Sequence, residues 1–318
     1  MSIFERKITV FAIFQYTKSK CAEFYKCFRP TSSPFVSGDT FRSLCHVKIE
    51  VVAAKERIDE LVHKLNFIKH KSILRLFVDL NVVGDEKLEQ TFVNSLARLP
   101  LEVRRKTIVI FHNSDKVPSQ SFFMRLTELE FRLYSVNIVE QSPFVQPLPI
   151  GLENRWRLDN GRIASFKRFQ SKTSNQIKRK NLVFAAFTVG NNLPERSVAR
   201  EACLKAGFPM IGGRIPTSRH REHLSNSYFV ISPPGNGLDC HRTWEAIYLG
   251  CVPVVKRSSL SEEFTMNLPI LAVEDWSDFF NLSNDQKLAV YKQLRNRSTE
   301  LAFVDEWRRR LGVLTTVG

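Results

Sequence analysis

Short apolar runs rich in Val, Ile, Leu and Phe alternate along this chain with amphipathic stretches of helical period. Apolar runs of about four to eight residues bounded by turn residues predict buried strands. Longer stretches with apolar positions every third or fourth residue predict helices packed on them. In the first half, strands are expected at Ile8–Phe14, Ile73–Asp79, Thr107–Phe111 and Val136–Val139. Helices are expected between them at Ala54–Asn66, Glu86–Leu99 and Ser119–Glu128. The second half repeats the pattern, with strands Leu182–Thr188, Tyr228–Ser232, Val252–Lys256 and Ile270–Val273. Its helices are Glu195–Ala206, Arg219–Asn226, Cys240–Leu249 and Leu260–Phe264, followed by a strongly helical tail from Asp285 to Leu311. Strands separated by helices form parallel sheets, so the class is α/β.

Between the halves the periodicity fails. Pro147 and Pro149 punctuate an extended stretch ending at Gly151. From Arg155 to Lys180 the chain carries Arg155, Arg157, Arg162, Lys167, Arg168, Lys172, Lys178, Arg179 and Lys180 against a lone Asp159. This stretch reads as an exposed, partly helical connection. The expected organisation is two doubly wound domains, residues 1–155 and 156–318, facing each other across a cleft. A length of 318 residues allows two domains of ordinary size.

Composition sharpens this picture in one respect. Lys and Arg number 47 against 32 Asp and Glu, a net charge of +15. Such an excess attracts nucleic acid, anionic lipid headgroups or phosphorylated small molecules, or simply forms a solvated basic surface. The 25 Phe against 6 Tyr and 4 Trp argue against a stacking platform for single strands. Phe11, Phe14, Phe77, Phe111, Phe184 and Phe229 lie in strand runs and read as core. No helix–turn–helix, zinc or RNP element is found, so no specific nucleic acid is expected. No stretch approaches the roughly 20 apolar residues of a membrane span, and Met1–Phe14 lacks the features of a secretory signal. Cys21, Cys27, Cys45, Cys203, Cys240 and Cys251 show no CxxC pairing, so neither zinc nor a disulfide framework is expected. The chain reads as reduced and cytoplasmic, with a basic surface able to rest against a membrane.

Tyr228–Val255, YFVISPPGNGLDCHRTWEAIYLGCVPVV, carries the most chemistry. A strand runs into Pro233-Pro234-Gly235-Asn236-Gly237, and Asp239 stands where an N-cap would begin the next helix near Cys240. Strand end, glycine loop and helix N-terminus together favour an anion and suit a diphosphate. Arg242 in the first turn opposes the helix dipole, and binding phosphate bidentately would compensate. Glu245, one turn on, can accept hydrogen bonds from two sugar hydroxyls. The other reading of this pair is an i,i+3 surface ion pair worth a few tenths of a kcal/mol. Gly250 ends the helix before the buried strand Val252-Pro253-Val254-Val255.

The run SPPGNGLDCHRTWEAIYLGCVPVV resembles the donor-binding segment of exostosin-like glycosyltransferases, with matches at Arg242, Glu245, Ala246, Gly250, Cys251, Pro253 and Val254. PFVSGDTFR (Pro34–Arg42) and PLPIGLENRW (Pro147–Trp156) look like blocks of bacterial and viral sugar transferases of the same broad group. The resemblance implies a GT-B fold of two Rossmann-like domains, with a nucleotide-sugar held mainly by the C-terminal one. It also implies an inverting transfer, with no cofactor or essential metal, of a sugar from a UDP-linked donor to a glycan, glycolipid or glycoprotein hydroxyl. The chain shows neither the membrane anchor nor the stem of animal exostosins.

On that basis the donor site comprises Arg196, Gly235, Asn236, Gly237, His241, Arg242, Thr243 and Glu245. Arg196 serves as a second phosphate ligand or is an ordinary exposed arginine; His241 caps the phosphate or merely lies beside it. No metal-binding DxD is present, since Asp275 and Asp278 stand too far apart. Inverting transfer also needs a base near the acceptor hydroxyl. Asp39 is the first candidate, though it can equally cap the helix that follows it; His112, Asp115 and Glu153 are the alternatives. A GDP-fucose-type transferase of the same fold is the nearest alternative function. Beyond it stand a non-catalytic glycan-binding protein and a basic nucleic-acid-binding one.

Overall fold

The computed structural model describes residues 29–50, 58–68, 72–83, 86–140, 142–167, 179–212 and 215–313. Five parallel strands form a first sheet in chain order: β1 (Val47–Ile49), β2 (Leu74–Asp79), β3 (Thr107–His112), β4 (Arg132–Ser135) and β5 (Gln146–Pro147). In its register Asp79, the last residue of β2, stands opposite His112, the last of β3. The second sheet runs β6 (Asn181–Phe184), β7 (Ser227–Ile231), β8 (Val252–Lys256) and β9 (Leu271–Val273), again wholly parallel. A parallel bridge between Ala185 and Met210 extends it beyond β6. The winding therefore runs outward from β6, returns, and continues on the other side through β7. In doubly wound sheets that reversal opens a crevice at the carboxyl ends of the two strands, here β6 and β7.

Residue alternation along β7 shows why both faces of this sheet are covered. Phe229 and Ile231 pack with Ala199, Cys203 and Trp276 on one face, whereas Val230 joins Trp244 and Tyr248 on the other. The second group is continuous with the core of the first sheet, so the two sheets share one apolar interior. Phe77, Phe111, Phe184 and Phe229 are buried as expected; Phe11 and Phe14, like the expected strand Ile8–Phe14, lie outside the described residues.

Several expected elements move. The strand assigned to Val136–Val139 lies earlier, at Arg132–Ser135, because Asn137 adopts φ +60° and turns the chain. Strand β1 and the helices Leu101–Arg105 and Trp276–Phe280 are too short to show a period. Asp275 and Asp278 form a capping box on the last of these. The tail is two helices, Asn284–Arg295 and Val304–Arg310, separated where Asn296-Arg297-Ser298-Thr299 offers local polar competition to the helix; the Ser298 hydroxyl accepts from the Glu300 N–H. Of the connection, residues 168–178 lie outside the described residues; two of its described residues are tied into the fold. Phe166 is fully buried, and Arg179 donates to the carbonyls of Leu224, Ser225, Ser227 and Leu249, closing the ends of two helices.

Candidate functional site

The loops leaving β6 and β7 are tied together by two side chains. Asn192 caps the Leu193–Lys205 helix through its Oδ1 and donates Nδ2–H to the Gly235 carbonyl at 3.0 Å. Arg196, 3% exposed, donates from Nε to the Pro234 carbonyl and from Nη1 to the Thr188 carbonyl, both at 2.7 Å. A Cβ on residue 235 would lie 3.0 Å from Arg196 Nη2, so glycine lets the guanidinium approach the loop. Arg242 comes from the first turn of the His241–Tyr248 helix. The guanidinium carbons of Arg196 and Arg242 lie 6.0 and 5.8 Å from the centre of the same Phe187 ring.

Neither arginine has a carboxylate partner among the described residues. Arg242 reaches Cys240 Sγ at 3.7 Å, and its Nε is buried with no acceptor. Burial, with the Arg242 charge adding to it, lowers the proton affinity of Arg196, yet an arginine stays cationic. Two like charges held together without an acid carry a cost that an anion between or beside them removes. The helix cap adds to the attraction, since Cys240 makes no side-chain bond to the helix end.

The remaining donor candidates divide. Gly237 is buried and its carbonyl accepts from the Gly235 N–H; Asn236 is exposed at the loop tip. Thr243 does not face the loop: its hydroxyl bonds Ser232 at 2.9 Å and fixes the helix to β7. Glu245 turns to the preceding helix, with His220 at 3.5 Å and Arg221 at 3.6 Å, so the expected alternative of an Arg242–Glu245 pair does not form. His241 does not cap a phosphate either. Its Nδ1 donates to the Gly151 carbonyl and its Nε2 to Glu153, both at 2.7 Å, and with both nitrogens donating the ring is an imidazolium. Against burial, the Glu153 charge pushes its pKa up to about 9. Asp239 is not the N-cap; its carboxylate accepts from the Ile150 N–H and the Trp244 indole, joining the two halves.

His241, the chain neighbour of Arg242, lines a cavity of about 720 Å3 whose other walls come from the first sheet's loops and the segment after β5. Asp39 does not line it. Ser37, not Asp39, caps the Gly38–Ser43 helix, and the Asp39 carboxylate is fully buried on Arg29 at 2.6 Å. A sealed side chain cannot reach an acceptor, so the structure removes Asp39 as the base. His112 lines the cavity, but its Nδ1 accepts from the Asn113 N–H and its Nε2 donates to the Pro149 carbonyl. Burial lowers its pKa to about 4, so the ring is neutral and weakly basic. Glu153 is held by His241, and against burial that charge keeps it below the usual carboxylate range. Asp115 is exposed and lines the cavity.

Phe187, Asn192 and Asp79, the last a carboxylate in the cavity wall, stand outside the residues expected from the sequence. The signals were legible: Asn-Leu-Pro-Glu is a helix-start pattern, and Asp79 ends a parallel strand on the side where such sheets hold ligands.

No protein-family model matches the chain, that of the exostosin-like transferases included, and no curated protein matches it. Among solved structures it is similar to one described as the apo structure of OtsA, with 11% identity over 83% of this chain and 77% of that one, at a TM-score of 0.46. It is also similar to an alpha-glucosyltransferase in complex with UDP-glucose and DNA containing an abasic site, with 12% identity over 81% of this chain and 84% of that one, at a TM-score of 0.35. The architecture itself is read from strand order and pairing. Two parallel α/β sheets meet at a cleft, which is the GT-B arrangement.

Proposed function

We propose that this protein is a glycosyltransferase that moves a sugar from a UDP-linked donor onto a glycan hydroxyl with inversion. The observation that carries this reading is the Arg196–Arg242 pair, two guanidinium groups at the β6/β7 switch point with no carboxylate partner among the described residues. A nucleotide-sugar brings two negative charges to such a site, and more charge develops on the diphosphate as it leaves. Preorganised cations stabilise that change most where water is excluded. Fold alone says nothing of chemistry, so the weight rests on these side chains. The exostosin-like reading of the donor segment rests on the sequence matches quoted above; Arg242 supports it by lacking a carboxylate partner among the described residues, whereas Glu245 is engaged by His220 and Arg221.

Thermal shift and calorimetry with nucleotide-sugars test the reading. A ligand at 100 times its Kd stabilises by about 2.7 kcal/mol, a readable shift. Arg242→Ala should weaken donor binding at least about tenfold, equivalent to ~1.4 kcal/mol, with an almost unchanged melting temperature because no folded-state acid loses a partner. Arg242→Lys should restore little, since an ammonium lacks the planar fork. Wild-type affinity in Arg242→Ala would remove the donor assignment. With cationic side chains serving the diphosphate, transfer in EDTA should stay within a factor of a few. Loss of turnover restored by Mn2+ would favour a metal-dependent transferase. A protein that binds donor but never turns over would be the non-catalytic alternative, and preference for GDP-fucose would name the other transferase.

A further inference from the structure

The cavity that His241 lines is charged differently from the arginine pair. Its cations are matched: Arg42 donates to both oxygens of Glu50 at 2.8 and 3.0 Å, Arg29 also reaches Glu50, and His241 and Arg157 meet Glu153. Two wall carboxylates are left over, the exposed Asp115 and the buried Asp79. Asp79, nine-tenths buried at the end of the interior strand β2, lines the cavity and has no ion-pair partner among the described residues. Its Oδ1 accepts from the Asn81 N–H at 3.0 Å and from Asn81 Nδ2 at 2.9 Å, while Oδ2 accepts from no described residue.

We propose that Asp79 is the general base of the transfer, its free Oδ2 accepting the proton of a hydroxyl on an uncharged sugar held in this cavity. The assignment rests on the glycosyl-transfer reading above. In the step, the acceptor oxygen forms its bond to the anomeric carbon as its proton passes to Asp79. The bond from that carbon to the diphosphate breaks with its electron pair leaving on the diphosphate, where Arg196 and Arg242 meet the charge. A single displacement of this kind inverts the anomeric centre.

Three observations support it. The other wall carboxylates are less suited: Glu50 and Glu153 are spent in ion pairs, and Asp115 is exposed to solvent. Burial raises the proton affinity of Asp79, against the Asn81 hydrogen bonds and the charge of Arg29, with Glu50 adding to the rise; His112, opposite it on β3, is neutral. A base so shifted moves toward working pH. Finally, Trp156, Asn81, Asn113 and Asn154 complete the wall, a ring and neutral amides of the kind that bind polyols, whereas an anionic acceptor would find every cation already paired.

The test uses the full chain with UDP-glucose, UDP-galactose, UDP-N-acetylglucosamine and GDP-fucose as donors and methyl glycosides as acceptors. Asp79→Asn keeps an acceptor oxygen for Asn81, so the fold should stand. It should lower kcat about 100-fold or more while UDP binding by calorimetry stays within about twofold, and the acid limb of the pH–rate profile should vanish. Asp79→Ala should be partly rescued by formate, which replaces a missing proton acceptor but not a missing structural contact. Wild-type turnover in Asp79→Asn overturns the assignment and leaves the donor reading standing, as does a slowed enzyme with an unchanged pH profile and no formate rescue. A product of retained configuration overturns it too. If the wild type neither binds UDP nor transfers, the glycosyl-transfer reading fails, and the base assignment falls with it.

Discussion

At the scale of single residues, the chemistry depends on which charges find partners. Among the described residues Arg242 and Asp79 are left without an ion-pair partner, whereas His241 and Glu153, equally polar in sequence, consume each other. That pairing has a pH signature. His241 titrates near 6.5 in an unfolded chain and near 9 here. Below about pH 6.5 both states hold the proton and the stabilisation is complete. As pH rises from there toward 9 the unfolded chain releases its proton first, so stability falls. A third of the side chain remains open to the cleft, and solvent screening moderates the size of the effect. Melting temperatures of wild type and His241→Gln should therefore converge as pH rises from 6.5 to 9. Parallel curves across that window would show that the imidazolium is not formed. The depressed His112 acts in a separate range, its contribution being lost as pH falls from about 6.5 toward 4.

At the scale of elements, the site depends on how strands end. Asn113 and Asn137 follow β3 and β4 with φ of +66° and +60°, turning the chain into the cleft where the left-handed region is least costly for a side chain. Gly151 does the same after β5, with φ +67°, and a Cβ there would lie 2.2 Å from the Val36 carbonyl oxygen. Backbone, not a flexible side chain, would have to move. Gly151→Ala should cost about 2 kcal/mol, the sum of a disfavoured φ and this clash. It should also disturb His241, whose Nδ1 uses the Gly151 carbonyl. Urea unfolding measures the first effect; an unchanged midpoint would show that the loop relaxes freely.

At the scale of the whole molecule, the chain returns to its first sheet. The Val304–Arg310 helix follows the second sheet in sequence but packs on the first. Val304 donates to the Pro34 carbonyl, Trp307 meets Phe41 and Tyr134 edge-on, and Arg75 of β2 donates to Leu311 and Gly312. Trp307 is fully buried and its indole donates to the Leu301 carbonyl. Trp307→Ala should cost ~3–5 kcal/mol. A loss below about 1 kcal/mol in denaturant would show that this helix opens independently of the rest. The basic excess also looks different at this scale. Arg75, Arg179, Arg221, Lys287 and Arg297 donate to backbone carbonyls inside the fold, so part of the +15 serves as internal capping rather than as a surface for a polyanion. Among the described residues no helix is long and apolar enough to cross a membrane.

Periodicity and local chemistry determined much of this from the sequence alone. Alternating strand and helix patterns placed β2, β3, β7 and β8 within a residue or so, because a buried parallel strand must be apolar on both faces. The Pro-Gly loop, the helix start near Cys240 and the Arg242 position were legible for the same local reason. Pairing was not. Whether Asp39 is sealed behind Arg29, whether Glu245 meets Arg242 or His220, and whether His241 is free or bound to Glu153 are settled by segments distant in the chain. These contacts span sequence separations that no local pattern records, and only the tertiary fold decides which charges are neutralised and which, like Arg242 and Asp79, remain to act.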